Sequence, residues 1–300
     1  MDFGALLDAL FGLGAVSRTV DFRVGARTIH VSVPEDSIFF SLKDILYNRE
    51  YELYPQFELM NPREVIVDAG ANAGLYTIIA SLFAKKVIAL EPDLGNFTTL
   101  LENLKLNGVE NVIALKSALW STDGAVKFHK RRSSQLGSIK VHADSKNVEA
   151  VEAVSLRGLL STIDGTALGH TIDLLKLDIE GAEFDVILSC GPQTLESVSR
   201  IVAEIHTEHG DYQELTRKLR QSKFSYVVLD RPARKTPDEG IRVISDYRVK
   251  LLITIVDGIM ALSHYHDWSS LLLYASKDAS DFHRHSQHRW MPRVVESHIF

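Results

Sequence analysis

The sequence predicts an α/β protein built on a doubly wound, mostly parallel sheet, and three observations carry that expectation. From Val65 onward, short apolar runs alternate with amphipathic helical segments, the pattern of successive βα units. The run Val65–Val67 ends in Asp68 and passes at once into a loop of small residues, Ala69-Gly70-Ala71-Asn72-Ala73-Gly74. Beyond that loop Leu75, Ile78, Ile79, Leu82 and Phe83 recur at helical spacing. Strand, tight loop and helix in this order form the cradle that parallel sheets offer to nucleotide-like ligands at the strand's carboxyl end. Gly70 and Gly74 allow unusual backbone angles and a close ligand approach, and the helix N-terminus favours an anionic group.

The loop also argues against two nucleotide classes. Asn72 stands where the dinucleotide fingerprint G-x-G-x-x-G has its second glycine. Gly70 to Gly74 is one residue too short for a G-x-x-x-x-G-K-[ST] phosphate loop, and no lysine follows. The string Asp68 to Gly74, D-A-G-A-N-A-G, instead resembles the first motif of class I S-adenosylmethionine-dependent methyltransferases.

Composition sets wider bounds. The 300 residues are 45% hydrophobic with a net charge of −6, enough for one large domain with an appendage. A mildly acidic chain argues against nucleic acid as a partner, because such proteins present a basic face to phosphates. The single cysteine, Cys190, forms no intrachain disulfide and reads as a small buried hydrophobe. No apolar run approaches the ~20 residues that span a bilayer. The apolar first sixteen residues carry Asp2 and Asp8 and lack a basic n-region, so no signal peptide and no membrane partner is expected, and the default location is cytoplasmic. Leu6, Leu7, Leu10 and Phe11 share a helical face that reads as a docking helix or a homodimer contact.

The chain divides into an N-terminal preface over 1–58 (helix, strand, helix), a main domain over 59–280 with an insertion at 231–268, and a polar tail over 281–300. In the preface Thr28–Val33 reads as a strand and Ile38–Tyr47 as a helix. Val87–Leu90, stopped by Pro92, is the second core strand. Phe97, Leu100, Leu101 and Leu104 mark a helix closing near Asn107-Gly108, and Val112–Leu115 is the third strand. Ala125–His129 and Val151–Leu156 are shorter β segments flanking the polar stretch 131–146. Ile172–Leu177 ends at Asp178, and a helix with Phe184, Ile187 and Leu188 inward runs to Gly191-Pro192. Ile201–Ile205 ends at His206; a helix carrying Tyr212, Leu215 and Leu219 follows, then strands Tyr226–Leu229 and Ser270–Ala275. Core strands total seven, five in βα repeats and two late, with helices on both faces. The insertion begins in a charged, proline-containing loop and continues into the apolar run Val249–Met260, either a substrate-selecting element or a helix packed on a sheet edge.

Two constellations carry chemistry. Glu91 ends the second strand, 23 residues after Asp68, where a carboxylate can accept both ribose hydroxyls of a nucleotide. The string Lys176-Leu177-Asp178-Ile179-Glu180-Gly181-Ala182-Glu183 clusters three more acids where a buried strand becomes a helix, and Glu180 and Glu183 suit that helix's positive end. If the fourth and fifth strands are neighbours, about 4.8 Å apart, Asp178 and His206 overhang one crevice. His206 is the candidate base, with Asp178 orienting its imidazole, and Glu204 shares the strand face of His206. In the tail Asp281, His283, His285 and His288 cluster before Trp290, at a spacing that matches no closed zinc site.

With the first motif, K-L-D-I-E-G-A-E resembles the FkbM family of methyltransferases, whose form is K-[IVL]-D-[IVL]-E-G-x-E. Tyr51-Glu52, Glu91-Pro92, Asn96-Phe97, Asn103, Val154-Ser155-Leu156 and Glu204-Ile205-His206 agree in order, so the resemblance covers roughly residues 50 to 230. It implies a Rossmann-like class I methyltransferase whose last strand inserts antiparallel. The implied activity is methyl transfer from S-adenosylmethionine to a hydroxyl of a small molecule, natural product or sugar. On this reading Asp68, Gly70, Asn72, Gly74, Glu91 and Asp178 bind the cofactor, Tyr76 and Thr77 meet its amino-acid end, and Ser117 meets the adenine edge. Asp178 and His206 are catalytic. A competing use of Asp178, Glu180 and His206 is as oxygen and nitrogen ligands of a metal, as in the metal-dependent catechol-type methyltransferases of similar fold, but the family form does not require one and no metal is assigned. The competing readings are an NAD-type dehydrogenase, weakened by the missing glycine, and a catalytically silent cofactor-binding partner protein.

Overall fold

The computed structural model describes residues 19–32, 42–130, 147–164, 171–230, 242–244, 270–282 and 293–299. Strands whose residues are apolar on both faces need cover on both faces, and here that rule builds the centre of the molecule. In β3 (Arg63–Ala69) only Glu64 is exposed, and β9 (Leu174–Leu177) is buried throughout. They pair in parallel with each other and with β4 (Ala84–Leu90), β5 (Val112–Leu115) and β10 (Arg200–His206). The sheet order is β5-β4-β3-β9-β10-β13-β11-β14, where β11 is Ser225–Asp230, β13 Ser270–Ser276 and β14 Val294–His298. β13 lies antiparallel between β10 and β11, the inserted late strand that was expected.

The sheet has eight strands rather than seven. Residues 294–298 of the expected polar tail pair antiparallel with β11, their edge position suiting the alternation of exposed and half-buried residues.

Strand alternation divides the core in two. Ile66, Leu174, Val202 and Tyr274 face one cluster with α1 (Leu75–Ser81) and α2 (Leu94–Leu106). Val67, Leu175, Ala203 and Leu273 face the other, under α3 (Leu156–Asp164), α4 (Glu183–Ser189), α5 (Pro192–Glu196) and α6 (Tyr212–Gln221). A period of two therefore puts Asp68, Lys176, Glu204 and His206 on the first face, toward the carboxyl ends of three adjacent strands. The helix α3 replaces the end of the segment read as strand 151–156. β8 (Asn147–Ser155) stops where the Ser155 hydroxyl accepts the Gly158 N–H at 3.0 Å, and Leu156, Leu159, Leu160 and Ile163 form the buried stripe. β8 pairs with β6 (Ala118–Trp120) and β7 (Gly124–Lys130) in a small second sheet.

Of the expected preface, the strand at 28–33 falls in a hairpin and the first helix lies outside the described residues. That hairpin is β1 (Thr19–Val24) and β2 (Arg27–Ser32), joined by β12 (Arg242–Ile244) from the insertion. One π-helical turn at Leu42–Tyr47 and two short 3-10 turns follow. Residues 1–18, 131–146, the run Val249–Met260 and His283, His285 and His288 lie outside the described residues. Among the described residues no helix is long and apolar enough to cross a membrane.

The edge of β2 away from β1 is satisfied by Asn103 of α2 and by Asn107, which caps that helix. Asn103 accepts the Ser32 N–H at 2.7 Å and donates to the Ser32 carbonyl at 2.6 Å. Asn107 does the same for His30, at 2.9 and 2.6 Å. Four residues of helix and two of strand both advance about 6–7 Å, so the two ladders match. Asn103 also donates to the Ala73 carbonyl at 2.8 Å, tying the hairpin to the glycine loop. Asn103→Ala leaves three backbone groups without this partner and is expected to lower stability by about 2–3 kcal/mol, measured as a shift in the urea midpoint.

Candidate active site

The donor-side half is built by the turn that leaves β3. Gly70 (φ +78°) and Asn72 (φ +50°) adopt left-handed backbone. A Cβ on Gly70 would fall 1.8 Å from the Asp178 carbonyl oxygen, so only glycine lets this turn lie against the start of the acid-rich string. The Asn72 N–H donates to Glu91 Oε2 and the Asp93 N–H to Glu91 Oε1, both at 2.8 Å. The expected pair, glycine loop and second-strand carboxylate, is therefore joined directly. Burial pushes the Glu91 carboxyl up to about 7, although both backbone donors favour its charged form.

Asp68 and Thr77 sit deeper than their expected contacts with a ligand would require. Asp68 is fully buried, accepts the Thr77 hydroxyl at 2.6 Å and pairs with Lys176 at 3.0 Å. Both therefore brace the loop from beneath. Lys176 also donates to the Gly70 carbonyl at 3.1 Å and lies 3.7 Å from Asp178. Burial opposes its charge, but Asp68 and Asp178 outweigh that and hold its pKa above the ordinary lysine value. Tyr76 is buried with its ring edge-on to Tyr51 at 5.8 Å, and Lys176 lies 5.2 Å from the Tyr51 ring centre. Gly74 lets α1 approach α2, where a Cβ would meet Leu100 at 2.3 Å. Ser117 is half-buried in the turn just past β5.

The acceptor-side half stands on β9 and β10. Ala203 pairs with Leu177, so Glu204 and His206 continue beside the chain as it leaves β9 through Asp178 and Glu180. Asp178 accepts the Tyr51 hydroxyl at 2.8 Å, and that hydroxyl is 3.4 Å from Glu204. The Tyr51 segment is fastened from behind. Tyr274 donates to the Glu50 carbonyl and accepts the Leu53 N–H, and Tyr274 stacks edge-on against Tyr54 and Phe57 at 5.1 and 4.9 Å.

Asp178 and His206 do share one crevice, but Asp178 does not orient the imidazole. Glu183 does: its Oε1 lies 3.2 Å from His206 Nδ1 and also accepts the Ile179 and Gly181 N–H groups at 2.9 and 3.3 Å. His206 Nε2 lies 3.6 Å from Glu180 and 3.7 Å from Glu204. Burial disfavours the imidazolium, yet Glu183, Glu204 and Glu180 together hold the His206 pKa well above its usual value. The imidazole therefore sits within a cluster of carboxylates that favours its charged form. Burial, with Asp178, Glu204 and Glu183 adding to it against His206, raises the Glu180 pKa well above the usual carboxylate value. One donor atom each from Asp178, Glu180 and His206 lies within 4.8 Å of the others, an arrangement able to hold a cation. Asp281 belongs to a different place, pairing with Arg200 at 2.6 Å.

Sequence reasoning gave no role to Lys176 or Tyr51 and read Glu183 only as a helix-end carboxylate. The lysine had a readable mark, a charge inside the apolar string L-L-K-L on the same strand face as Asp178.

Residues 68–226 match the family described as methyltransferase FkbM domain. Methyltransferase 1 of Beauveria bassiana (strain ARSEF 2860) is 26% identical over 221 residues, covering 66% of this chain and 85% of that protein. Methyltransferase sdnD of Sordaria araneosa is 26% identical over 260 residues, covering 75% of this chain and 96% of that one. The crystal structure of methyltransferase FkbM from Methylobacillus flagellatus KT aligns with a TM-score of 0.40 and 15% identity, over 76% of this chain and 48% of that chain. The family match spans more than half of the chain and takes in both halves of the site, so the protein is a methyltransferase. It belongs to the FkbM methyltransferase family.

Proposed function

We propose that the protein transfers a methyl group from S-adenosylmethionine to a hydroxyl oxygen of a small molecule. The observation that carries this reading is the seam between the two halves. Lys176 binds Asp68 and the Gly70 carbonyl on one side and approaches Asp178 on the other, so a donor on the glycine loop and an acceptor over Asp178 would meet. The residues suit the cofactor. Glu91 takes one backbone N–H on each oxygen and a side-chain hydrogen bond from Asn96, which leaves it room to accept a ribose hydroxyl. When bound, S-adenosylmethionine supplies an electrophilic methyl group on a sulfonium. Asp178, in reach of the crevice, accepts a hydrogen bond from the acceptor hydroxyl, and that hydroxyl's proton passes into the carboxylate cluster around His206. Alignment of the two reactants supplies much of the rate, about 7 kcal/mol when geometry is good.

Calorimetry with S-adenosylmethionine and with NAD tests the reading. Binding of the first alone is expected, tightening as pH rises from 6 to 8 because Glu91 ionises near 7 and only the carboxylate leaves both oxygens as acceptors. Glu91→Gln should flatten that dependence; NAD binding without S-adenosylmethionine binding overturns the assignment. In a panel of hydroxylated small molecules scored by S-adenosylhomocysteine release, Asp178→Asn and His206→Ala should each lower turnover roughly 10²-fold or more. The affinity of His206→Ala for S-adenosylmethionine should stay within about threefold. Unchanged turnover in both would remove the acceptor-side assignment, whereas cofactor binding with no turnover in the unaltered protein would leave a silent cofactor-binding protein as the better account.

A further inference from the structure

We infer that Asp178, Glu180 and His206 form a binding site for a divalent cation on the acceptor side of the crevice. The inference rests on the methyl-transfer reading and adds a component to the same site.

The three ligands come from different pieces of chain that converge. Asp178 ends β9, Glu180 stands in the left-handed turn that follows (φ +54°), and His206 ends β10. Two carboxylates and an imidazole offer one donor atom each within 4.8 Å of one another, two oxygens and a nitrogen. The imidazole is held as a ligand's would be. Its Nδ1 is occupied by the fully buried Glu183, itself pinned by two backbone N–H groups. That arrangement fixes the ring and turns Nε2 toward the other carboxylates, the supporting pattern found behind metal-bound histidines. Nε2 then lies 3.6 and 3.7 Å from Glu180 and Glu204, beyond good hydrogen-bonding distance.

The buried carboxylates around the site add to that geometry. Asp68, Asp178, Glu180, Glu183 and Glu204 surround Lys176 and His206, and Asp68, Glu183 and Glu204 are each no more than 9% exposed. Lys176 is committed to Asp68 and the Gly70 carbonyl. The second oxygen of Glu183, Oε2, is buried with no hydrogen-bond partner. A divalent ion beside this carboxylate offsets the cost of burying it.

The donor set selects the kind of ion. Oxygen donors with one imidazole suit Mg²⁺ or Mn²⁺, and three protein ligands leave open positions for an acceptor's oxygen. An ion there would lower the proton affinity of a bound hydroxyl. Glu204, outside the ligand set, would receive the proton as the oxygen–methyl bond forms and the sulfur–methyl bond breaks.

The test uses the full chain and Mn²⁺ alone, titrated by loss of the free-ion electron paramagnetic resonance signal and by calorimetry. One saturable Mn²⁺ per chain is expected, displaced by Mg²⁺. Asp178→Asn and His206→Gln should weaken it roughly 10–100-fold, and Glu183→Gln about 10-fold. Glu208→Gln, outside the cluster, should leave it unchanged. Absence of saturable binding, or binding indifferent to the cluster variants, overturns the inference. S-adenosylmethionine titrated into the same samples shows that each variant is folded and separates the two claims. Cofactor binding without Mn²⁺ binding removes the ion alone, whereas Mn²⁺ binding without cofactor binding removes the methyl-transfer reading.

Discussion

Gly70→Ala is expected to destabilise the protein by at least ~4 kcal/mol, in the exceptional range for a single substitution, and to abolish S-adenosylmethionine binding. Left-handed backbone alone costs an alanine about 1–2 kcal/mol. The larger part is collision, because the new methyl would lie 1.8 Å from the Asp178 carbonyl oxygen, and backbone cannot rotate aside as a side chain can. Separating the two segments would also strain the bonds from the Asp178 N–H to Ala69 at 3.2 Å and from the Gly70 N–H to Leu90 at 3.0 Å. Gly25→Ala is the control. Its φ is +58°, but a Cβ there meets nothing within 4 Å, so only the backbone contribution applies. Urea midpoints of the two variants decide the matter, and equal losses would mean that the seam is looser than described.

Lys176→Met should be nearly as severe. It leaves Asp68, fully buried, without its cation, and breaking such a pair costs about 3–5 kcal/mol. The pH dependence has a definite sign. The folded pKa of Lys176 is raised, so its contribution is complete below the unfolded lysine value of about 10.4 and is lost only as pH climbs past the folded value. Denaturation at pH 7 and pH 9, both below that unfolded value, should therefore show the same loss. Lys176→Met with Asp68→Asn should recover part of the stability, and no recovery would argue that the lysine acts through packing rather than charge.

The central sheet was legible because its strands are apolar on both faces and end in polar residues, as Val65–Asp68, Leu174–Asp178 and Ile201–His206 do. The donor loop and Glu91 were legible for a related reason, since glycine geometry and strand-end carboxylates are local. What escaped was long-range. Asn103 and Asn107 bond a strand 71 and 77 residues away, and nothing near them in the chain announces it. Tyr51 reaches Asp178 across 127 residues, and β14 is a short polar strand defined by its partner. The position of His206 at a strand end was legible too, but the carboxylate that orients its ring, Glu183, comes from beyond another strand's end, 23 residues earlier.

β13 has to be received between two strands that are made before it. As the chain is synthesised, β10 and β11 leave the ribosome with the edges they will give to β13 still bare, and 46 more residues, 231 to 276, must follow to cover them. At ordinary elongation speeds that interval lasts roughly 2–9 s. Bare edges of apolar strands invite pairing with other chains. The interval makes newly made protein a client for chaperones and makes truncation within 231–269 a route to aggregation rather than to a smaller soluble enzyme.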